Sequence, residues 1–235
     1  PTGIGFCTAK IMGQLGGKIA IVATTDRIYD RAAELAAMGI TAKGYVADLM
    51  DREQVKNLIK SVADDLGAPS VLINNAGMVQ VGIEEDFSTI LEMTYESWDL
   101  SINRNLTLTF NVTKETLPYM VDKEYGRIVN VSSVTGPVVS NPGESGYSAA
   151  KAGLLGMSRA LAIEVGDKNI TVNSVLPGWI ATASQTPEEA IAGENTPLKR
   201  SADAMEVANA IVFLASDKAS YITGVVLSVD GMARS

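Results

Sequence analysis

The residues most able to do chemistry lie between residues 132 and 151. A predicted buried strand, residues 126–132, ends in two serines, and a Gly/Pro-rich loop leads to a helix that begins near Ser145. On that helix Tyr147 and Lys151 are four residues apart, so their side chains share one face. An ammonium beside a phenol lowers the pKa of the tyrosine from its usual value of about 10. Such a tyrosine can exchange a proton with a carbonyl or alcohol oxygen that a serine hydroxyl holds.

Each part of this pattern also has a purely structural interpretation. A tyrosine and a lysine four apart are common on helix surfaces, and two serines at a strand end commonly cap or turn the chain. The order strand, serine pair, loop and Tyr-x-x-x-Lys favours a catalytic role over a structural one. Proton transfer at a C–O bond also needs a hydride donor or acceptor, so the rest of the chain should contain a binding site for one.

Composition and charge exclude several classes of function. The 235 residues are 46% hydrophobic, which suits one sizeable core, and the net charge of −8 argues against nucleic acid or an anionic membrane as a partner. One cysteine allows no internal disulfide, which fits a reducing cytoplasm. Histidine is absent, which removes Ser-His-Asp machinery and most zinc sites, so no metal is expected. No apolar run is long enough to predict a membrane span.

Strands and helices alternate along the whole chain, which predicts an α/β fold. A single-domain, Rossmann-like, doubly wound parallel sheet over residues 1–235 is expected, with its ligand at the carboxyl ends of the strands. Residues 183–198 show no strong period and are predicted to form a mobile substrate lid. The predicted strands are 18–23, 41–46, 71–73, 126–132, 170–175 and 225–229, and the predicted helices are 6–15, 30–38, 51–66, 98–120, 145–166 and 203–215.

The chain opens with a glycine pair at the start of a helix. Gly3 and Gly5 precede an apolar helical pattern, and glycines there let a phosphate approach the free N–H groups closely. A phosphate-binding turn needs a strand to feed it, and none precedes Pro1. We therefore expect about ten to fifteen further residues, with a first strand, ahead of this sequence; otherwise the glycines are an ordinary loop.

Three strand ends carry residues suited to a dinucleotide. Thr24 and Thr25 follow the strand at 18–23 with no acid at its tip, which favours NADP, although Asp26 lies just beyond. Asp48 either accepts a hydrogen bond from an adenine amine or caps the helix at 51–66. After the strand at 71–73, residues 74–77 read Asn-Asn-Ala-Gly and suit a ligand lying over the sheet edge.

One long helix is predicted from Trp98 to Met120. It contains Asn103, Asn105 and Asn111, although asparagine is a poor helix former. We expect one of these amides to serve a polar task inside the protein.

Taken together, these motifs resemble the single-domain type of the short-chain dehydrogenase/reductase family over essentially the whole chain. Tyr-x-x-x-Lys alone would not identify the family, whereas the set is specific. The motifs are Gly3-Ile4-Gly5, the tail of the family's Thr-Gly-x-x-x-Gly-Ile-Gly, with Asp48, Asn74-Asn75-Ala76-Gly77, Asn105, Ser133, Tyr147-x-x-x-Lys151 and Pro177-Gly178-x-Ile180-x-Thr182.

The resemblance implies a role for each of these residues. Tyr147 resembles the general acid/base and Ser133 the residue that polarises the carbonyl. Lys151 would lower the tyrosine pKa and hold the nicotinamide ribose, and Asn105 would anchor a water in the proton relay. The expected cofactor contacts are Gly3, Ile4 and Gly5 at the pyrophosphate, Asp48 at the adenine, Asn74, Ala76 and Gly77 at the ribose, Ile180 and Thr182 at the nicotinamide, and also Thr24, Leu49, Tyr147, Lys151, Pro177 and Gly178.

The resemblance also bears on cofactor and partners. NADP is favoured by Thr24 and Thr25, and NAD stays the alternative. Thr2 stands where NADP-dependent members often carry an arginine, which weakens the case for NADP without favouring NAD. The branch most similar to this chain is the 3-oxoacyl-thioester reductases, through residues 98–114 and 213–224. Reductases that dock acyl carrier protein use basic residues beside the site. Here residues 122–124 give two acids and one base, with Lys168 as a further base, so docking of an acidic carrier protein looks unfavourable.

Two classes of function are consistent with these observations. The first is an NAD(P)-dependent oxidoreductase that interconverts a small ketone and a secondary alcohol, or a 3-oxoacyl thioester and its alcohol. The second is a dinucleotide-sensing module without turnover, against which the intact set of Asn105, Ser133, Tyr147 and Lys151 speaks. The resemblance further implies a homotetramer built on helices 98–120 and 147–165 and on the C-terminal strand.

Overall fold

The computed structural model of the chain describes residues 3–77, 87–183 and 185–233. Within these ranges no helix combines the length and the apolar character needed to cross a bilayer. The helices are α1 (Ile4–Gln14), α2 (Arg27–Ala37), α3 (Arg52–Leu66), α4 (Tyr95–Ile102), α5 (Leu108–Asp122), α6 (Ser145–Glu164), α7 (Pro187–Glu194) and α8 (Ala204–Leu214). The strands are β1 (Ile19–Ala23), β2 (Ala42–Val46), β3 (Val71–Asn74), β4 (Gly126–Val131), β5 (Ile170–Pro177), β6 (Ile180–Ala181), β7 (Ala202–Asp203) and β8 (Val226–Val229).

The ladders formed by these strands are all parallel. Four strands form the main sheet in the order β3-β4-β5-β8, β1 pairs with β2, and β6 pairs with β7 in a short ribbon. Parallel neighbours need crossover connections, and helices supply them here. The predicted α/β fold with a parallel, Rossmann-like sheet is confirmed.

Helices cover both faces of the main sheet. All residues of β4 and β5 are buried. On one face α8 packs Val207 and Ile211 against β4 and β5. On the other face α5 and α6 contribute Met120 and Leu161 to a cluster with Ile128. Strands that are buried along their whole length are typical of a parallel sheet covered on both faces.

A groove of about 720 Å³ separates β1 from β3 and is lined mostly by apolar side chains. Among the described residues the two strands share no ladder, yet Val22 of β1 and Leu72 of β3 contact one cluster formed by α3 and α5. The strand expected ahead of Gly3 stays a prediction.

Asp51 caps α3. Its Oδ1 accepts hydrogen bonds from the backbone N–H groups of Glu53, at 2.9 Å, and Gln54, at 3.1 Å. The alternative in which Asp48 caps this helix is therefore wrong. Asp48 instead closes the preceding turn, since its Oδ1 accepts from the Met50 N–H at 2.9 Å. A single sequence leaves this choice open because both aspartates lie within reach of the first helical turn.

The long helix predicted at 98–120 differs from the structure in two ways. It begins earlier, at Tyr95, because Thr94 accepts a hydrogen bond from the Ser97 N–H and caps α4. Its middle is a π-helical segment, Asn103–Thr107, between α4 and α5. A π segment widens the helix locally and is frequent at functional sites. Helical periodicity alone does not reveal it.

Two further elements depart from the prediction. α2 begins at Arg27, three residues before the predicted start. Residues 187–194, for which no regular element was predicted, form α7, and Thr186 and Glu189 make a reciprocal capping box at its start. This local cap stabilises a helix whose apolar pattern is too weak to be recognised in the sequence. Thr2, the position at which NADP-dependent members often carry an arginine, falls outside the described residues.

Candidate active site

The carboxyl ends of the parallel strands bring most of the predicted site residues to one edge of the main sheet. β3 leads into Asn75, β4 into the two serines, and β5 into Gly178. The Gly178 N–H donates to the Val229 carbonyl oxygen at 3.1 Å, which joins the ends of β5 and β8. In open α/β sheets ligands bind at this edge.

α6 places Tyr147 and Lys151 in its first two turns. The Lys151 Nζ lies 5.5 Å from the centre of the Tyr147 ring and donates to the Val131 carbonyl oxygen at 3.3 Å. Lys151 is 3% exposed, and this burial lowers its pKa to about 8. At neutral pH the Lys151 side chain is therefore still mostly protonated, and its positive charge lies beside the phenol ring.

The two serines after β4 have different surroundings. Ser132 is buried, and its hydroxyl donates to the Lys151 carbonyl oxygen at 2.9 Å, which ties the strand end to α6. Ser133 is half-buried, and its Oγ accepts a hydrogen bond from the Thr135 N–H at 3.1 Å. A hydroxyl oxygen that accepts in this way keeps its own proton for donation and becomes a better donor. Ser133 is thus equipped to hold a substrate oxygen, whereas Ser132 is structural.

Gly77 brings the end of the β3 segment against Asn105 and Lys151. Its φ is 146°, and a Cβ added there would lie 3.2 Å from the Asn105 Oδ1 and 3.3 Å from the Lys151 Nζ. Asn105 is buried in the π segment, and its Nδ2 donates to the Ser101 carbonyl oxygen at 3.1 Å. Three predicted site residues from three separate segments therefore meet around one point.

The start of α1 fits the pyrophosphate of a dinucleotide. No side chain caps this helix at Gly3, so its first N–H groups remain for a ligand. A Cβ on Gly3 would meet no atom within 4 Å, while a Cβ on Gly5 would lie 2.8 Å from the Asn75 Nδ2. A helix N-terminus next to the end of β3 could hold the phosphates, and Ile4 begins the helix itself.

The turn after β2, which carries Asp48, is held by α5. Thr24 follows β1 and is exposed, and Asp26 at the start of α2 makes no side-chain cap. The Asn111 Nδ2 donates to the Leu49 carbonyl oxygen at 3.1 Å, which fixes the turn that carries Asp48. Asn105 and Asn111 are both buried, so two of the three helix asparagines serve polar contacts where the sequence predicts one.

Residues 178–182 follow β5 at the same carboxyl edge of the main sheet. Ile180 begins β6 and packs against the core clusters beneath α8. The Thr182 N–H donates to the Ile180 carbonyl oxygen at 2.8 Å. A Cβ on Gly178 would lie 2.8 Å from the Cα of Asp230, so the strand ends are closely packed here. Pro177, the last residue of β5, is buried.

Gly136 holds the loop between Ser133 and Tyr147 against α6. Its φ is 99°, and an added Cβ would overlap the Ser148 carbonyl oxygen and lie 2.9 Å from the Ser148 Cα. We expect Gly136→Ala to displace this loop, to lower kcat by about tenfold and to destabilise the protein by about 1–3 kcal/mol. Turnover and thermal unfolding of the variant measure both effects.

Gly166→Ala is the matched control for this prediction. Gly166 follows α6, has no atom within 4 Å of an added Cβ and has no positive φ, so alanine there should leave kcat unchanged. Equal kcat values for the two variants would contradict the role of the loop.

Sequence reasoning missed two groups that orient the site. Thr135 acts through its backbone N–H, which no side-chain pattern reveals. Asn130 is fully buried in β4, and its Nδ2 donates to the Ser158 Oγ at 2.8 Å. A signal for Asn130 is present in the sequence, since it is the polar residue within Ile-Val-Asn-Val.

Comparisons with known proteins agree with this geometry. The family model described as enoyl-(acyl carrier protein) reductase matches residues 1–231. The chain is 39% identical to the 3-oxoacyl-[acyl-carrier-protein] reductase FabG of Thermotoga maritima, over 98% of this chain and 93% of that protein. It is 37% identical to FabG of Haemophilus influenzae, over 97% and 93%. It is 34% identical to the oxidoreductase UcpA of Salmonella typhimurium, over 97% and 89%.

A chain whose parallel sheet brings a serine, a tyrosine, a buried lysine and a helix N-terminus to one edge is thus matched along its length by reductases. The chain belongs to the short-chain dehydrogenase/reductase family and is an NAD(P)-dependent oxidoreductase that acts on keto and hydroxyl groups.

Proposed function

We propose that Tyr147 is the general acid/base that interconverts a ketone and a secondary alcohol in this protein. The observation that supports this role is the buried Lys151 ammonium, 5.5 Å from the Tyr147 ring centre and fixed on the Val131 carbonyl. A bound nicotinamide dinucleotide supplies or accepts the hydride. Ser133 holds the substrate oxygen by donating a hydrogen bond, and Tyr147 delivers the proton to that oxygen or removes it.

The other predicted residues bind the cofactor and complete the proton path. Lys151 also holds the nicotinamide ribose, and Asn105 anchors a water through which the proton is replaced. The closeness of Gly77 to both side chains supports this assignment. The cofactor contacts proposed are Gly3, Ile4, Gly5, Thr24, Asp48, Leu49, Asn74, Ala76, Gly77, Pro177, Gly178, Ile180 and Thr182.

The cofactor we propose is NADP. The tip of β1 carries Thr24, whose hydroxyl accommodates a 2′-phosphate, whereas an NAD site places a carboxylate at this position to accept from the 2′-hydroxyl. Arg27 begins α2 close by and is exposed, so it adds positive charge. NAD remains the alternative because Asp26 lies between these two residues.

The substrate we propose is a freely diffusing ketone or secondary alcohol. The relatives named as acyl-carrier-protein reductases favour a 3-oxoacyl thioester as the second candidate. Against docking of an acidic carrier, the Lys168 Nζ lies 3.6 Å from a Glu124 carboxylate oxygen and 3.9 Å from an Asp167 carboxylate oxygen. Glu124 and Lys168 also precede β4 and β5, so within one chain they lie at the sheet edge opposite Ser133. They would meet a carrier at an active site only through a neighbouring copy in the tetramer proposed below. These carboxylates would repel an acidic partner.

We further propose that residues 183–198 form the substrate lid. The described part of this segment contains α7 and is tied at its base, where the Gln185 Nε2 donates to the Ser201 Oγ at 2.7 Å and β6 pairs with β7. The remaining proposals are that residues 1–235 fold as one domain, that the protein works in the cytoplasm, and that four copies assemble through the helices α4 to α6 and β8.

A side-by-side rate comparison tests the cofactor and the substrate. NADPH should outperform NADH by about tenfold or more in kcat/KM on a panel of small ketones, and Thr24→Asp should reverse this order because a carboxylate repels the 2′-phosphate. A 3-oxoacyl group carried by coenzyme A should be reduced faster than the same group on acyl carrier protein. Higher kcat/KM with the carrier-bound group would contradict the substrate proposal, and an NADH preference would contradict the cofactor proposal.

A further inference from the structure

A buried chain of hydrogen bonds crosses the sheet behind the candidate active site. Asn74 and Asn130 are register partners on β3 and β4. The Asn74 Nδ2 donates to the Asn130 Oδ1 at 2.8 Å, and the Asn130 Nδ2 donates to the Ser158 Oγ at 2.8 Å. Ser158 donates in turn to the Leu154 carbonyl oxygen at 2.7 Å.

The chain has a second arm toward α5. The Asn74 Nδ2 also donates to the Thr113 Oγ1 at 3.1 Å. The exposed fractions are 6% for Asn74, 5% for Thr113, 0% for Asn130 and 2% for Ser158. Four buried polar side chains thus form a directed, mutually satisfied set. Such a set is strongly orienting in a low-dielectric interior, because each group that loses its partner stays desolvated and unpaired.

Each member of the set is attached to a segment that carries a site residue. Ser158 follows Lys151 by two turns on the same face of α6, and Thr113 lies in the helix that continues from Asn105. Asn74 begins the Asn-Asn-Ala-Gly segment that ends at Gly77. Asn130 precedes Ser133 by three residues. The hydrogen bonds therefore link the two helices to the two strands that together build the site.

Apolar packing alone would not fix the positions of α5 and α6 relative to β3 and β4 as closely as these hydrogen bonds do. The clusters around α5 and α6 consist of residues such as Met120, Ile128 and Leu161, and apolar contacts tolerate sliding with little directional cost. A hydrogen bond from a fixed strand amide to a helix hydroxyl sets both the rotation and the height of the helix. A displacement of about 1 Å at a reacting group can cost about 100-fold in rate.

We propose that Asn74, Asn130, Thr113 and Ser158 are positioning residues that hold Lys151 and Asn105 in register with Tyr147 and Ser133. This inference rests on the proposed function of those four site residues. Asn130 is the centre of the set, since it accepts from one strand and donates to α6.

The chain offers two matched pairs of variants that test this role. Ser158→Ala and Ser174→Ala each remove one buried hydroxyl, at 2% and 1% exposure, but among the described residues the Ser174 Oγ has no hydrogen-bond partner. Thr113→Val and Thr116→Val each remove one buried hydroxyl from α5. Thr116→Val is the control of this pair, because the Thr116 hydroxyl has no hydrogen-bond partner in the described ranges. Ser174 also faces Asn130 in the β4–β5 register, which makes it a close control.

Alcohol oxidation is measured for all four variants as a function of pH with saturating cofactor. In Ser158→Ala and Thr113→Val we expect kcat to fall about tenfold with little change in KM, and the midpoint of the rise of kcat with pH to move upward by about half a pH unit. The reason is that a displaced ammonium supports the phenolate less. Ser174→Ala and Thr116→Val should keep the wild-type profile. Thr113→Ser, which retains the hydroxyl, should restore it.

Thermal unfolding of each variant shows whether the protein is still folded, which separates unfolding from a displacement of Lys151 or Asn105. Thr113→Val remains a test if Ser158→Ala fails to fold. Identical pH profiles within both pairs would overturn the positioning role. Tyr147→Phe measured in parallel distinguishes this result from failure of the proposed function. If Tyr147→Phe is inactive while both pairs match, only the positioning inference is wrong, whereas an active Tyr147→Phe removes the general acid/base assignment itself.

Discussion

Tyr147→Phe should lower kcat by about 10²- to 10⁴-fold while leaving cofactor binding unchanged within a few-fold. The substitution removes only the phenolic hydroxyl, so the ring keeps its place 5.5 Å from the Lys151 ammonium. The loss expected for removing a general acid/base sets the magnitude. Turnover is followed at the nicotinamide absorbance with a ketone that the wild-type protein reduces, and cofactor affinity is measured by fluorescence titration.

Tyr221→Phe is the control for this experiment. Tyr221 is fully exposed, so loss of its hydroxyl should change neither kcat nor cofactor affinity. Retention of wild-type turnover by Tyr147→Phe would show that the proton comes from another group. A loss of cofactor binding as large as the loss of rate would instead indicate that the hydroxyl serves binding.

The parts of the candidate site that depend on the order of strand, loop and helix along the chain could be proposed from the sequence. Ser133, Tyr147 and Lys151 could be proposed because a strand end, a loop and a helix start have recognisable residue signals, and i,i+4 spacing fixes a shared helix face. The parallel sheet then brings Asn75 and Gly178 to the same edge without further information. Family resemblance supplied the individual roles, which spacing alone does not give.

Features that depend on contacts distant in sequence could not be predicted. The choice between Asp48 and Asp51 as the cap of α3 depends on the turn between them, which Asn111 of α5 holds by donating to the Leu49 carbonyl oxygen. The Asn74–Asn130 pair requires the β3–β4 register, which no periodicity specifies. The π segment around Asn105 likewise depends on how α4 and α5 pack on their neighbours. Tertiary contacts decide these features, and they include the ones that orient the site.

Lys151→Met should abolish most activity and at the same time stabilise the cofactor-free protein. A buried ammonium is costly, as the lowering of its pKa from 10.5 to about 8 by burial indicates. The folded protein therefore binds a proton at this site less readily than the unfolded chain does. This cost is fully present below pH 8 and disappears as the pH rises to about 10.5, where both states are neutral. Lys151 therefore lowers the stability of the folded protein, and its proposed role is to support the Tyr147 phenolate.

The measurement is the free energy of unfolding of wild type and Lys151→Met across this pH window. The advantage of the variant should be largest below pH 8 and should shrink by about 3 kcal/mol between pH 8 and 10.5, following the size of the pKa change. Lys56→Met, at an exposed position of α3, should show no such pH-dependent difference. In activity assays Lys151→Met should lose both cofactor affinity and kcat. A pH-independent difference in stability would mean that the Lys151 pKa is the same in the folded and unfolded protein, so that burial does not oppose the ammonium.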